Sequence, residues 1–143
     1  MPDKVNVRVA FRIVRDGETQ EIDAPGRLHR LVDGWAVTCR MAGTSEGTEP
    51  TGESDMTLLV RDGEIRMSRR GTVSQDQAFR VGEWRSGTVG TAYGSMAAEA
   101  WTHRMETGLS KTGGTVEWEY DMRMAGQELG RCSIRLDIRE EQI

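Results

Sequence analysis

Apolar and polar residues alternate one by one along most of this chain, the pattern of strands with one buried and one wet face. Two segments near the C-terminus show it best. Val116, Trp118, Tyr120, Met122 and Met124 alternate with Thr115, Glu117, Glu119, Asp121 and Arg123. Cys132, Ile134, Leu136 and Ile138 alternate with Arg131, Ser133, Arg135, Asp137 and Arg139. Keeping both apolar faces together leaves registers two residues apart. A three-residue loop at Ala125-Gly126-Gln127 sets Asp121 beside Arg131 and Glu117 beside Arg135. The next wider closure sets Arg123 beside Arg131 and Glu117 beside Asp137. Opposite charges across a strand pair contribute ~0.2–1 kcal/mol and like charges oppose pairing, so the tighter register is predicted.

The rest of the chain repeats the theme. Val5, Val7, Val9, Phe11 and Ile13 form a first strand, and the turn dipeptide Asp16-Gly17 leads into a second, from Gln20 to Leu31. Pro25-Gly26 interrupts that second strand. Proline cannot donate a ladder hydrogen bond, so a bulge or bend is expected there. Further strands follow around Trp35–Met41, Met56–Val60, Ile65–Met67, Gln75–Val81 and Trp84–Tyr93, with Asp62-Gly63 as a second hairpin signal. Residues 42–53 are Gly, Thr, Ser, Glu and Pro without periodicity, and read as a flexible surface loop. Ser95 to Ser110 is the exception, because Met96, Ala97, Ala98, Glu99, Ala100 and Met105 favour a helix when taken alone. Read as a strand, Glu99 and Trp101 face one way, and Met96, Ala98 and Ala100 the other.

At 143 residues the chain fits one domain, taken as 1–143. About eight to ten strands joined by short turns predict an all-β, antiparallel meander. Closure into a barrel would remove the edges that invite aggregation; a two-sheet sandwich is the alternative. No apolar run approaches the ~20 residues of a membrane helix, and Met1-Pro2-Asp3-Lys4 lacks a secretory pattern. The expected compartment is the cytoplasm, without membrane attachment. The net charge of −4 argues against sequence-independent nucleic-acid binding. Cys39 and Cys132 sit at apolar strand positions and read as small core residues; their spacing to His29 and His103 matches no zinc pattern, so neither metal nor cofactor is expected.

In order and spacing, the chain resembles the YwiB-like family of bacterial proteins of unknown function. The residues that carry the likeness are Ser68-Arg69-Arg70-Gly71, Gln77-Ala78-Phe79 with Gly82, and Thr91-Ala92-Tyr93-Gly94-Ser95-Met96. Gly114 to Tyr120, Met124-Ala125-Gly126 and Ser133 to Leu136 extend it, so that it spans about Val5 to Glu140. The resemblance implies a calycin-like, lipocalin-related barrel, a strand rather than a helix after Gly94, and no known activity. The family pattern usually has an acidic residue near Cys39-Arg40, where this chain has none.

No residue set points to catalysis. Gly43-Thr44-Ser45-Glu46-Gly47 matches a nucleophile elbow in letters, but lies in a polar loop with no following helix. Ser110-Lys111-Thr112 lacks the glycines of a phosphate loop, since Met105 and Ser110 occupy their places. His29 and His103 read as surface residues at strand ends. A binding role is the stronger reading. Arg69 shares a face with Ile65 and Met67, and if that face is interior its charge needs a carboxylate such as Glu99 or an anionic ligand. Trp35, Tyr93, Trp101, Trp118 and Tyr120 could line an interior cavity around it, or simply fill the barrel. The expectation is therefore a non-catalytic barrel binding a small, partly apolar or anionic molecule, in a cavity of a few hundred cubic ångströms open at one end. A filled barrel acting as a homodimer or protein-interaction module is the alternative, and a hydrolase using Ser45 or an acid pair comes third.

Overall fold

A computed structural model describes residues 4–41, 54–71 and 74–141. Ten strands follow in order: β1 (Lys4–Arg15), β2 (Glu18–Leu31), β3 (Gly34–Met41), β4 (Ser54–Arg61), β5 (Glu64–Arg70), β6 (Ser74–Arg80), β7 (Trp84–Thr91), β8 (Gly94–Ser110), β9 (Gly113–Met124) and β10 (Gln127–Glu140). Each pairs antiparallel with the next, and β10 closes on β1, so the all-β meander is a closed barrel. The loop 42–53, with its Gly43–Gly47 motif, lies outside the described residues.

Sequence chemistry explains the tight corners. At β1–β2, Asp16 and Gly17 both adopt left-handed φ angles of 51° and 79°, which matches the twist of a two-residue hairpin. Ala125 and Gly126 do the same between β9 and β10, at 51° and 81°.

The C-terminal register is the predicted one, with Arg131 opposite Asp121 and Arg135 opposite Glu117. Its closure differs from the expected three-residue loop. Gln127 pairs directly with Met124, and a bulge between Glu128 and Gly130 then absorbs one residue. The tight turn alone would put the strands one residue out of phase, and the bulge restores the apolar face.

One further expectation is corrected, and one is borne out. There is no register shift at Pro25-Gly26: the β1–β2 ladder runs unbroken from Lys4↔His29 to Arg15↔Glu18. Pro25 lies just beyond the β2–β3 ladder, which begins at Gly26. Gly26 is needed for proximity, since a Cβ there would stand 2.5 Å from the Thr38 carbonyl oxygen. Segment 94–110 is a strand, as the resemblance implied, with Ala98, Ala100 and Thr102 buried. Its small residues suit a wall beside β9, whose Trp118 and Tyr120 stack against Phe79 with ring centroids 5.4 and 4.6 Å apart. Bulky rings take the interior volume, so alanine fits and local helix propensity is overridden.

Most of the interior is filled by side chains. Val7, Val9, Leu28, Val37, Leu58, Ile65, Phe79, Val116, Trp118 and Leu136 are all buried. Cys39 and Cys132 are buried and unbonded, in keeping with their reading as core residues. Burial pushes the Cys39 thiol up to about 12, which leaves it protonated and inert.

Candidate functional site

Barrel closure requires tilted, staggered strands, and the stagger builds a mixed-polarity interior site. From Val7, successive paired residues are Gly26, Cys39, Met56, Arg69 and Gln75. From Arg15, further along β1, the paired residues are Cys132 and then Tyr120. These rows meet at one end of the barrel around a cavity of about 100 Å³ lined by Arg15, Arg69, Gln75, Trp118, Tyr120 and Cys132, with Phe11, Ile134 and Leu136 among its apolar walls. An open groove of about 690 Å³, bordered by Asp16, Glu18, Thr19 and Gln20, shares Ile13, Arg15 and Arg69 with the cavity. Both arginines therefore stand at the boundary between the inside and the groove.

The polar groups here are unevenly satisfied. Burial raises the Tyr120 pKa and adjacent Cys132 raises it further, while the nearby Arg15 charge pulls the other way. Burial works against the charge of Arg15, but Cys132 and Tyr120 outweigh it and its pKa rises. Among the described residues no carboxylate forms an ion pair with Arg15. Trp118 is fully buried, and its indole N–H has no hydrogen-bond partner. An orphaned buried donor costs roughly 1–3 kcal/mol.

The structure divides the sequence-predicted residues. Arg69, Trp118 and Tyr120 come together at this cavity. Trp35 does not, because it lies at the opposite end of the barrel, half-buried, with the Arg30 guanidinium 5.9 Å from its ring. Tyr93 sits fully exposed in the β7–β8 turn. Trp101 is on the outer wall, since its neighbours Ala100 and Thr102 are the buried ones; it packs against Trp84 at 5.8 Å. Glu99, expected as the partner of Arg69, shares that outer face and takes a 2.9 Å bond from Arg123. Arg15 was missed, although its odd-numbered position continues the apolar face of Val5 to Ile13. Gln75 shares the face of Gln77 and Phe79 by the same rule.

The histidines are on the outer wall. His29 lies 3.5 Å from the Thr38 hydroxyl, and burial lowers its pKa, helped by Lys4 and Arg27. His103 does not end its strand: it is the extra residue in a bulge between Thr102 and Arg104. Its Nε2 lies 2.7 Å from Asp121 and 3.2 Å from the Arg131 guanidinium. No three His, Cys, Asp or Glu side chains gather to hold a metal ion among the described residues, and no helix there is long and apolar enough to cross a membrane.

The closed meander and its small, arginine-rimmed cavity can be set beside known proteins. A family model described as "Domain of unknown function (DUF1934)" matches residues 5–136. The chain belongs to that family. Its fold is similar to that of the ywiB protein from Bacillus subtilis, known from a crystal structure: the TM-score is 0.76 at 17% identity, covering 98% of this chain and 93% of that one. The comparison with curated proteins found no match. For this DUF1934 chain the relatives thus establish family and fold, and the argument for function rests on the site.

Proposed function

We propose that this DUF1934 barrel is a binding protein that takes a small molecule into its interior through the Arg15–Arg69 end. The observation that carries this reading is the cavity itself, which joins an apolar wall to two guanidinium groups. The space also limits the ligand. Pockets for drug-sized molecules span ~300–1,000 Å³, whereas this one is about 100 Å³, smaller than the sequence led us to expect. A volume that far below the usual range suits a small solute and not a drug-sized one. A large lipocalin-type ligand is therefore not part of the proposal, and Trp118 and Tyr120 serve as core and pocket wall at once.

Protein uniformly labelled with nitrogen-15 tests this. Titration with a panel of solutes of three to eight non-hydrogen atoms should shift the Trp118 indole resonance in a saturable way for at least one of them. A resonance unmoved by the whole panel would sink the proposal. A homodimer through the outer wall is the second reading, favoured by the stacked, part-exposed Trp84 and Trp101; light scattering showing a strict monomer would remove it.

A further inference from the structure

We infer that the interior site is built for a short-chain monocarboxylate of about two to four carbons, with its carboxylate held by Arg15 and its alkyl tail against Phe11, Ile134 and Leu136. The inference rests on the interior-binding reading and narrows it to one chemical class.

Three observations converge. The first is donor chemistry. Arg15 carries N–H donors and no acceptor, so an occupant that satisfies it must present acceptor oxygens. Arg15 already meets Tyr120 and Cys132 but has no ion-paired carboxylate among the described residues, and its planar guanidinium matches a carboxylate in two parallel hydrogen bonds.

The second is the apolar part of the lining. Pairing sets Phe11 opposite Leu136 and Ile13 opposite Ile134, and these residues continue one wall of the cavity inward from Arg15. An inorganic oxyanion would leave that wall without a partner. A neutral hydrocarbon would leave the donors without one. Only a molecule with a charged head and a short tail uses both.

The third is size. A cavity of about 100 Å³ lies well below the ~300–1,000 Å³ of pockets for drug-sized molecules, which favours acetate or propionate over a longer chain such as hexanoate. The groove beyond Arg15 is bordered by Asp16 and Glu18. Arg15 and Arg69 line the same groove, so its formal charges balance and nothing there calls for a second negative charge on the ligand.

The test uses the full chain, with sodium propionate as the probe and propionamide as its neutral isostere, at matched ionic strength. Calorimetry and the Trp118 indole resonance should report saturable propionate binding, with propionamide at least tenfold weaker. Hexanoate and inorganic phosphate should leave the resonance unmoved. Arg15→Gln, at an exposed strand end, should keep the fold and weaken propionate at least tenfold while leaving propionamide unchanged. If propionamide binds as well as propionate, or Arg15→Gln leaves propionate unaffected, the carboxylate assignment is wrong while interior binding stands. If phosphate binds and propionate does not, the monocarboxylate class is wrong. If neither propionate nor propionamide moves the Trp118 signal, this inference falls; the wider reading falls with it only if the rest of the panel is also silent.

Discussion

The β9–β10 hairpin and the β6–β7 seam close the same barrel by opposite means. In the hairpin the backbone ladder runs from Gln127↔Met124 to Arg139↔Gly113, and charged pairs follow one another along its outer face. In the seam the ladder stops after Ser74↔Gly90 to Gln77↔Gly87. Beyond Gln77 the end of β6 leans toward β8, where Val81 bridges Thr102 and the Gly82 N–H donates to the Thr102 carbonyl. One buried side chain fills the gap. The Gln77 amide N–H₂ donates to the Ala78 and Arg85 carbonyls, both at 2.9 Å. Gly87 makes room for it, since a Cβ there would stand 2.3 Å from the Gln77 Oε1. A seam closed by backbone tolerates side-chain changes; a seam closed by one side chain does not.

Gln77→Ala should therefore be among the most damaging polar substitutions in the molecule. It leaves two carbonyls without their donor, each worth roughly 1–3 kcal/mol when buried, but also removes the buried Oε1 that has no partner of its own, so a net loss of about 2–4 kcal/mol is expected in urea unfolding. A loss below about 1 kcal/mol would mean that water or a rearranged β7 replaces the amide. Gly87→Ala attacks the same joint from the other strand. Overpacking of this kind costs roughly 1–3 kcal/mol, and the double variant should lose less than the sum, because removing Gln77 relieves part of the clash. Full additivity would separate the two residues.

Amide hydrogen exchange extends the comparison to dynamics. Local opening follows the number and burial of backbone hydrogen bonds, so amides of residues 84–86 should exchange faster than those of 116–120 and 132–136. Equal protection in the two regions would contradict the picture of a side-chain plug.

These contrasts also explain what the sequence could reveal. The hairpin register was legible because alternating charges make the wrong register place like charges opposite each other. The inward direction of Arg69 was legible from parity alone. The bulges at Leu129 and His103 were not, because an extra residue is chosen by the fit of a whole ladder, and with His103 went its contact to Asp121. Nor was Gln77 distinguishable from a surface glutamine, since its role appears only where β7 pulls away. Residue type misled for Tyr93 and Trp101, as aromatic character does not specify a face. The cavity volume depends on side chains from many staggered strands, which no single stretch encodes.

The smallest expected effects come from the hairpin's outer charges, and pH reads them. Hydrogen bonding from Arg104, aided by Arg135, holds the Glu117 carboxyl below the usual range; Arg131 and then His103 do the same for Asp121. Groups with depressed folded-state values bind protons more readily when unfolded, so stability rises with pH wherever they titrate. Their contribution is in place above the ordinary carboxylate values of about 4, and is lost as pH falls through the lower folded values. Both carboxylates are partly exposed, and screening reduces the gain. Replacing Arg135 with Ala should accordingly shift the midpoint of thermal unfolding at pH 7 by no more than about 2 °C, and by less at high salt or at pH 3. A larger, salt-insensitive shift would show that the outer charges hold the hairpin together, in place of the ladder and the apolar face beneath it.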